Sequence, residues 1–350
     1  GSGCGGGGGR RSSTGVFSAK VRERRKETER HDVRPTALTP QADQDRQLTV
    51  DVGMKHGRQC WMFSHLAKSG GSTIKTIIRD RLGEKAIFYT NDDWLAGNNS
   101  AQNSAKKVLT GRRNIIAGGF TEALRPLVGD ACKWFTVFRH PISRLVSAYF
   151  YCQKMPQDNP ACGTSRVKAV DVDLIGFAKH WGNYALRQFA LSLINVDDVL
   201  EYAVANGAGP MAGRWDDPGW YLVKMYLKHE EEKFDHNGDG ESLPDRAMYD
   251  MLIPIQSLLR DHYAVVGILE EFDETLELFN RALEIPDLEW HSSFREIGIE
   301  NADDTYHEQE KKALEAAWTD AELKQYMWLH ILLYEQAVAI FLEQKKQYGM

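Results

Sequence analysis

Cysteine is scarce, with five among 350 residues, and that excludes a small domain held together by a dense disulfide framework. Positive charge is not in excess. The formal net charge is −6 and the isoelectric point about 6.0, which argues against a general nucleic-acid binder. Long apolar runs are missing. The most apolar late stretch, 328–342, is interrupted by His330, Glu335 and Gln336, so it reads as an amphipathic, packed helix and not a membrane span. There is no internal repeat, which excludes a solenoid or propeller. The glycine-first, Lys-Ser/Thr-last order of a Walker A loop is also lacking.

What stands in place of a Walker A loop is the segment His65-Leu-Ala-Lys-Ser-Gly-Gly-Ser-Thr-Ile74. It follows the apolar run Cys60-Trp-Met-Phe-Ser64 and leads into Ile74-Lys-Thr-Ile-Ile-Arg79, which has helix periodicity. Strand, glycine turn and helix in that order make a loop whose backbone N–H groups and helix N-terminus can hold an anion. Lys68 precedes the glycines, and Ser72 and Thr73 follow them. A second segment, Trp134-Phe-Thr-Val-Phe-Arg-His-Pro-Ile-Ser-Arg-Leu-Val-Ser-Ala-Tyr149, reads as a buried strand ending at Arg139, then a helix started by Pro141. Proline suits the first helical turn because its missing N–H would be unpaired there anyway. Arg139 and Ser147 can then grip a second phosphate, one as a fork and one as a single donor.

Other strand-like runs are 86–89, 114–117 and 263–269. Helical patterns cover 72–82, 142–152, 184–193, 219–232 and 272–283, and Thr319-Asp-Ala-Glu322 reads as a capping box opening the last helix. This alternation predicts an α/β fold, a parallel sheet flanked by helices, with both phosphate motifs at carboxyl ends of strands. Residues 1–57, with five successive glycines at 5–9 and a dense charge run at 20–30, read as a flexible stem, since they cannot bury enough apolar surface to offset their ordering entropy. A solvated helix around 20–31 is the alternative. The remainder, 58–350, reads as one domain. Cys152 and Cys162 bracket a short loop and either pair in an oxidising compartment or remain thiols. Asp235-His-Asn-Gly-Asp-Gly240 mimics the first half of a calcium loop, but Leu243 and Arg246 fall where ligands nine and twelve belong, so it reads as a polar surface loop and no metal is expected.

Two anion motifs on successive strand–helix units resemble the sulfotransferases that use 3′-phosphoadenosine 5′-phosphosulfate (PAPS). In that family a Lys-x-Gly-Gly-Thr-like loop holds the 5′-phosphosulfate, and an Arg and a Ser eight residues apart hold the 3′-phosphate. Here Lys68-Ser-Gly-Gly-Ser-Thr73 matches the first, and Arg139 with Ser147 the second, in the right order and 71 residues apart (139 − 68). The His65 loop is similar to the His-Ile-Pro-Lys-Thr-Gly-Gly-Thr-Ser loop of Golgi carbohydrate sulfotransferases. Gly182-Asn-Tyr-Ala-Leu-Arg-Gln188 and Val265-Val-Gly-Ile-Leu-Glu-Glu-Phe-Asp273 are similar to segments of the uronyl 2-O-sulfotransferase branch.

The resemblance implies a P-loop-like sulfotransferase fold and transfer of a sulfuryl group from PAPS to an acceptor hydroxyl, most naturally of a glycan. It implies PAPS contacts from Lys68, Ser69, Gly70, Gly71, Ser72, Thr73, Arg139 and Ser147, with Lys68 also stabilising the leaving oxygen. It also implies a Golgi lumenal protein, with a signal anchor outside this chain as its membrane link; a cytoplasmic location is the alternative. The branch's catalytic His is replaced by Gly119, which has no side chain to take a proton. Glu122 is the first candidate for that base, Asp92 the second, with Asp93 and His65 as further options. Arg144 reads as a solvated helix residue or a further phosphate ligand, and Arg187 and Gln188 as acceptor-facing or helix-surface residues. Two other functions remain open: a catalytically impaired nucleotide-binding protein, and an ATP-dependent kinase.

Overall fold

Five short apolar strands pair into one all-parallel sheet. The computed structural model describes residues 60–83, 87–89, 109, 115–119, 121–154, 163–164, 167–193, 243–285, 288 and 304–350. The strands are β1 (Trp61–Ser64), β2 (Ile87–Tyr89), β3 (Ile115–Gly118), β4 (Lys133–Phe138) and β7 (Tyr263–Ile268). Their order across the sheet is β2-β3-β1-β4-β7. Trp61 of β1 lies opposite Ile115 of β3 and Lys133 of β4, and every pairing is parallel. A separate hairpin joins β5 (Gly163–Thr164) and β6 (Val167–Lys168). The α/β parallel architecture expected from the alternating pattern is therefore present.

All four β1 residues are buried, the mark of a central strand covered on both faces. Phe135 stacks on Phe63, with ring centroids 4.7 Å apart, and meets Phe279 edge-on at 5.1 Å. Phe279 belongs to α7 (Phe272–Leu283), so that helix covers one face. Three residues along β4, Phe138 stacks on Phe189 of α5 (Tyr184–Ala190) at 5.4 Å, so α5 covers the other. Gly267 lets α7 come close, since a Cβ there would lie 2.3 Å from Thr275 Cγ2. Thr275 Oγ1 donates to the Ile268 carbonyl and accepts from its N–H, both at 2.9 Å.

The exposed edge of β7 is occupied by a side chain. Gln344 of the long last helix α9 (Ala321–Gln347) accepts from Val266 N–H and donates to the Tyr263 carbonyl, satisfying main-chain groups that an edge strand leaves open. The N-cap of α9 is Asp320, which accepts from Leu323 N–H at 3.0 Å. The expected cap, Thr319, ends the preceding helix α8 (Asp304–Thr319) and donates back to Ala316. A second cluster packs α3 (Pro141–Lys154), α4 (Leu174–Trp181), α8 and α9 together through Leu145, Phe177 and Met327.

A disulfide joins Cys60 and Cys132, with Cα atoms 4.8 Å apart. Each precedes one of two neighbouring parallel strands, so the register that sets Trp61 opposite Lys133 sets these cysteines opposite each other. Cys152 is also disulfide-bonded, and Cys162, for which pairing with Cys152 is one of the two alternatives, lies outside the described residues. All described residues belong to one unit, Val52–Met350. The stem at 1–57, the helix expected at 219–232 and the calcium-like loop at 235–240 lie outside them. Among the described residues no helix is long and apolar enough to cross a membrane.

Candidate anion-binding site

Strand β1 ends at Ser64, and the chain turns through His65–Gly70 into α1 (Gly71–Leu82). The turn is tight. Ser69 N–H donates to the Leu66 carbonyl at 3.2 Å, and Lys68 adopts φ +66°, an uncommon left-handed conformation for a residue with a side chain. Gly70, at φ +76°, is the N-cap of α1 and offers no side-chain acceptor to the helix. The first-turn N–H groups of α1 have no intrahelical partner by construction, and they carry the positive end of the helix dipole.

Both glycines are required by contacts. A Cβ at Gly71 would lie 1.9 Å from His65 Cδ2, and one at Gly70 2.6 Å from Leu269 Cδ1. The His65 ring therefore packs directly on the loop, and burial, with Lys75 nearby, holds its pKa down at about 3. It is a neutral packing group at pH 7. Ser69 is buried, and its Oγ has no hydrogen-bond partner among the described residues. A buried, unpaired hydroxyl inside a glycine turn has the chemistry of a donor for an incoming anion.

The two motifs meet here. Arg139, at the end of β4, donates from Nη1 to the Lys68 carbonyl at 3.3 Å. The Lys68 ammonium stands over the Tyr151 ring, 4.1 Å from its centroid. Tyr151 follows Ser147 by one helical turn on α3, so Ser147 lies on the same helix face. Burial, and after it Arg139, lowers the Lys68 pKa; burial also lowers that of Arg139. Glu310 offsets the shift at both residues, and Glu270 also does so at Arg139. Neither cation forms an ion pair among the described residues. Two half-buried cations are thus held together at a helix N-terminus. Tyr151 was not singled out from the sequence, although its spacing from Ser147 carried the signal.

Glu270 sits in the turn after β7 and bounds the site. It accepts from the His140 backbone N–H at 2.8 Å and from the Tyr334 hydroxyl at 3.2 Å. The Val265–Asp273 segment thereby acquires a physical meaning: Gly267 admits α7, and Glu270 caps the start of α3.

Glu122, the first candidate for the base, is held by hydrogen bonds inside the sheet. It is completely buried, beside Ser64 at the end of β1 and Tyr263 at the start of β7. Ser64 Oγ donates to its Oε1 at 2.6 Å, Arg125 Nε pairs with its Oε2 at 2.9 Å, and the Tyr263 hydroxyl also donates to it. Burial, with Glu122 next, raises the Tyr263 pKa well above its ordinary value. A fully buried carboxylate held by three donors, one of them a cation, is occupied with balancing Arg125 and ordering the strand ends. Asp92 and Asp93 lie outside the described residues. Arg144 is not on a solvated face: it is buried, donates to the Trp181 carbonyl at 3.0 Å and lies over the Tyr184 ring.

The space beside Gly119 is taken by Gln188. A Cβ on Gly119 would meet Gln188 Nε2 at 3.4 Å, and that nitrogen donates to the His65 carbonyl at 2.9 Å. Gln188 therefore buttresses the glycine turn from behind. The Arg187 side chain lies outside what is described. Among the described residues no group of side chains could hold a metal ion. Compared with known proteins, the chain matches no protein-family model and no curated protein at a significant level.

Proposed function

We propose that the chain is a sulfotransferase on a P-loop-like sulfotransferase fold, moving a sulfuryl group from PAPS to an acceptor hydroxyl of a carbohydrate. One observation carries this reading. Lys68 and Arg139 come from two different strand–helix junctions, yet they converge beside one helix N-terminus without a counter-ion in contact among the described residues. Cations brought together despite mutual repulsion and burial suit a ligand with more than one anionic group. The unpaired Ser69 hydroxyl and the glycine cradle fit the same chemistry.

In this reading the Lys68 ammonium and the first-turn N–H groups of α1 hold the 5′-phosphosulfate. Lys68 offsets charge as it builds on the departing oxygen. The Arg139 fork and Ser147 hold the 3′-phosphate. Positioning and fixed positive charge supply the catalysis, as in phosphoryl transfer. The Cys60–Cys132 disulfide suits an oxidising lumen such as that of the Golgi. Adenosine 3′,5′-bisphosphate should therefore raise the melting temperature well beyond adenosine 5′-monophosphate, because only the former engages both cation sites. Equal shifts from the two nucleotides would refute the assignment. Magnesium-ATP binding in preference to the bisphosphate would point instead to the kinase reading.

A further inference from the structure

We propose that Glu310, on α8, is the carboxylate that takes the proton from the attacking hydroxyl. The inference rests on the sulfotransferase reading and adds to it the catalytic group that Gly119 and Glu122 do not supply.

The placement follows from how α8 lies on α3. Near the start of α8, Tyr306 meets Phe150 edge-on, with centroids 5.7 Å apart, and carries the Lys154 ammonium over its ring at 3.5 Å. Near its end, Trp318 meets His140 at 4.2 Å. The beginning of α8 thus lies beside the end of α3, and its end beside the start of α3, so the two helices run antiparallel. Glu310 follows Tyr306 by four residues and occupies the same face. It lies against α3 between those two contacts, at the level of Ser147 and Tyr151. That is where the Lys68 ammonium rests. The electrostatic influence of Glu310 on both Lys68 and Arg139 agrees with this position.

Its freedom from other duties is the second argument. Glu122 is sealed by Ser64, Arg125 and Tyr263. Glu270 has one oxygen on His140 N–H and the other on the Tyr334 hydroxyl. Glu310 is partly buried and makes no hydrogen bond or ion pair among the described residues. A carboxylate at this level of the helix, unpaired among the described residues, retains lone pairs for a proton.

The step balances without a further reagent. The acceptor oxygen forms a bond to sulfur as the bond from sulfur to the 5′-phosphate oxygen breaks. That phosphate oxygen leaves with the electron pair beside Lys68, as adenosine 3′,5′-bisphosphate. The acceptor proton passes to the Glu310 carboxylate and from there to solvent.

Water serves as the probe acceptor, so no glycan need be identified. Release of labelled sulfate from PAPS is measured with the intact chain, Glu310→Gln and Glu310→Asp, together with bisphosphate affinity by calorimetry. Glu310→Gln should lower the rate at saturating PAPS by roughly a hundredfold or more, with bisphosphate affinity within about threefold of wild type, and Glu310→Asp should recover part of the rate. Sulfate release by Glu310→Gln at the wild-type rate would overturn the assignment while leaving the sulfotransferase reading intact. So would a tenfold gain in bisphosphate affinity with unchanged rate, which would make Glu310 a charge opposing the cofactor. If the wild-type chain binds no bisphosphate, the parent reading fails and this one with it.

Discussion

Replacing Glu122 by Gln separates a structural carboxylate from a catalytic one. Glu122 is fully buried, and its ion-pair partner Arg125 has a side chain only 12% exposed. The guanidinium also lies over the Trp134 ring, 3.7 Å from its centroid, so it cannot simply swing into water. Glutamine preserves the volume and one acceptor but removes the charge that balances Arg125. Breaking a buried ion pair from one side costs about 3–5 kcal/mol, because the remaining charge stays desolvated and alone. Against a typical total of about 5–15 kcal/mol, that is a large fraction. In urea denaturation followed by circular dichroism, the midpoint should fall by about 1 M or more with little change in slope. Adding Arg125→Met should return part of the loss, since the unpaired charge is then gone. A Glu122→Gln protein of native stability would refute this reasoning. If that stable protein had also lost turnover, Glu122 would regain the role of base.

The paired substitution Cys60→Ala with Cys132→Ala opens a 73-residue loop (132 − 60 + 1) and should cost about 4 kcal/mol by the chain-entropy relation, read from the same urea curves. Gly71→Ala drives a methyl into the His65 ring and should cost about 1–3 kcal/mol together with bisphosphate affinity; His65→Ala in the same chain should restore part of both. Lys68→Ala should lower sulfate release by at least about a hundredfold with the bisphosphate still bound, whereas Arg139→Ala should mainly weaken binding; the reverse pattern would exchange their roles. His65 has a folded pKa of about 3 against 6.5 unfolded, so the unfolded chain binds the extra proton between those values. Its contribution to stability is complete above pH 6.5 and is lost as pH falls toward 3, at up to about 1.4 kcal/mol per pH unit. A His65→Gln variant should flatten that part of the profile.

The parallel sheet was legible because its strands are short, almost wholly apolar and each followed by a helical pattern. Buried strands in such folds need apolar residues on both faces, and β1 and β4 supply them. The turns that carry Lys68 and Arg139 were legible because turn chemistry is local: glycines after a strand and a proline after an arginine announce the backbone they require. The surroundings of Glu122 were not legible, for the opposite reason. Its neighbours in sequence place it near the site, but its partners Ser64 and Tyr263 stand 58 and 141 residues away, and nothing local reports that they seal it. Glu310 and the Cys60–Cys132 pair were missed on the same ground. One depends on a helix docking from the far end of the chain, the other on which strands become neighbours.

Strand adjacency also explains why the site forms at all. The chain could present a lysine loop and an arginine turn on strands at opposite edges of a sheet, and neither would then share a ligand. Here β1 and β4 are direct neighbours in register, with Ser64 opposite Thr136, so the loop after one and the turn after the other emerge side by side. Thr136 Oγ1 donates to the Ser64 carbonyl at 2.7 Å, fixing the last rung before the chains diverge. At the opposite end the disulfide holds the same two strands together. The pair is therefore tied at both ends. Repulsion between Lys68 and Arg139, which tends to spread the two turns, works against a hydrogen bond and a covalent link instead of against packing alone. A ligand anion relieves that repulsion, so binding should tighten this end of the sheet. Amide hydrogen exchange in the Leu66–Gly71 turn and at the start of α3 should slow in the presence of adenosine 3′,5′-bisphosphate. Unchanged exchange at both places, with the nucleotide bound, would mean that the two cations do not share it.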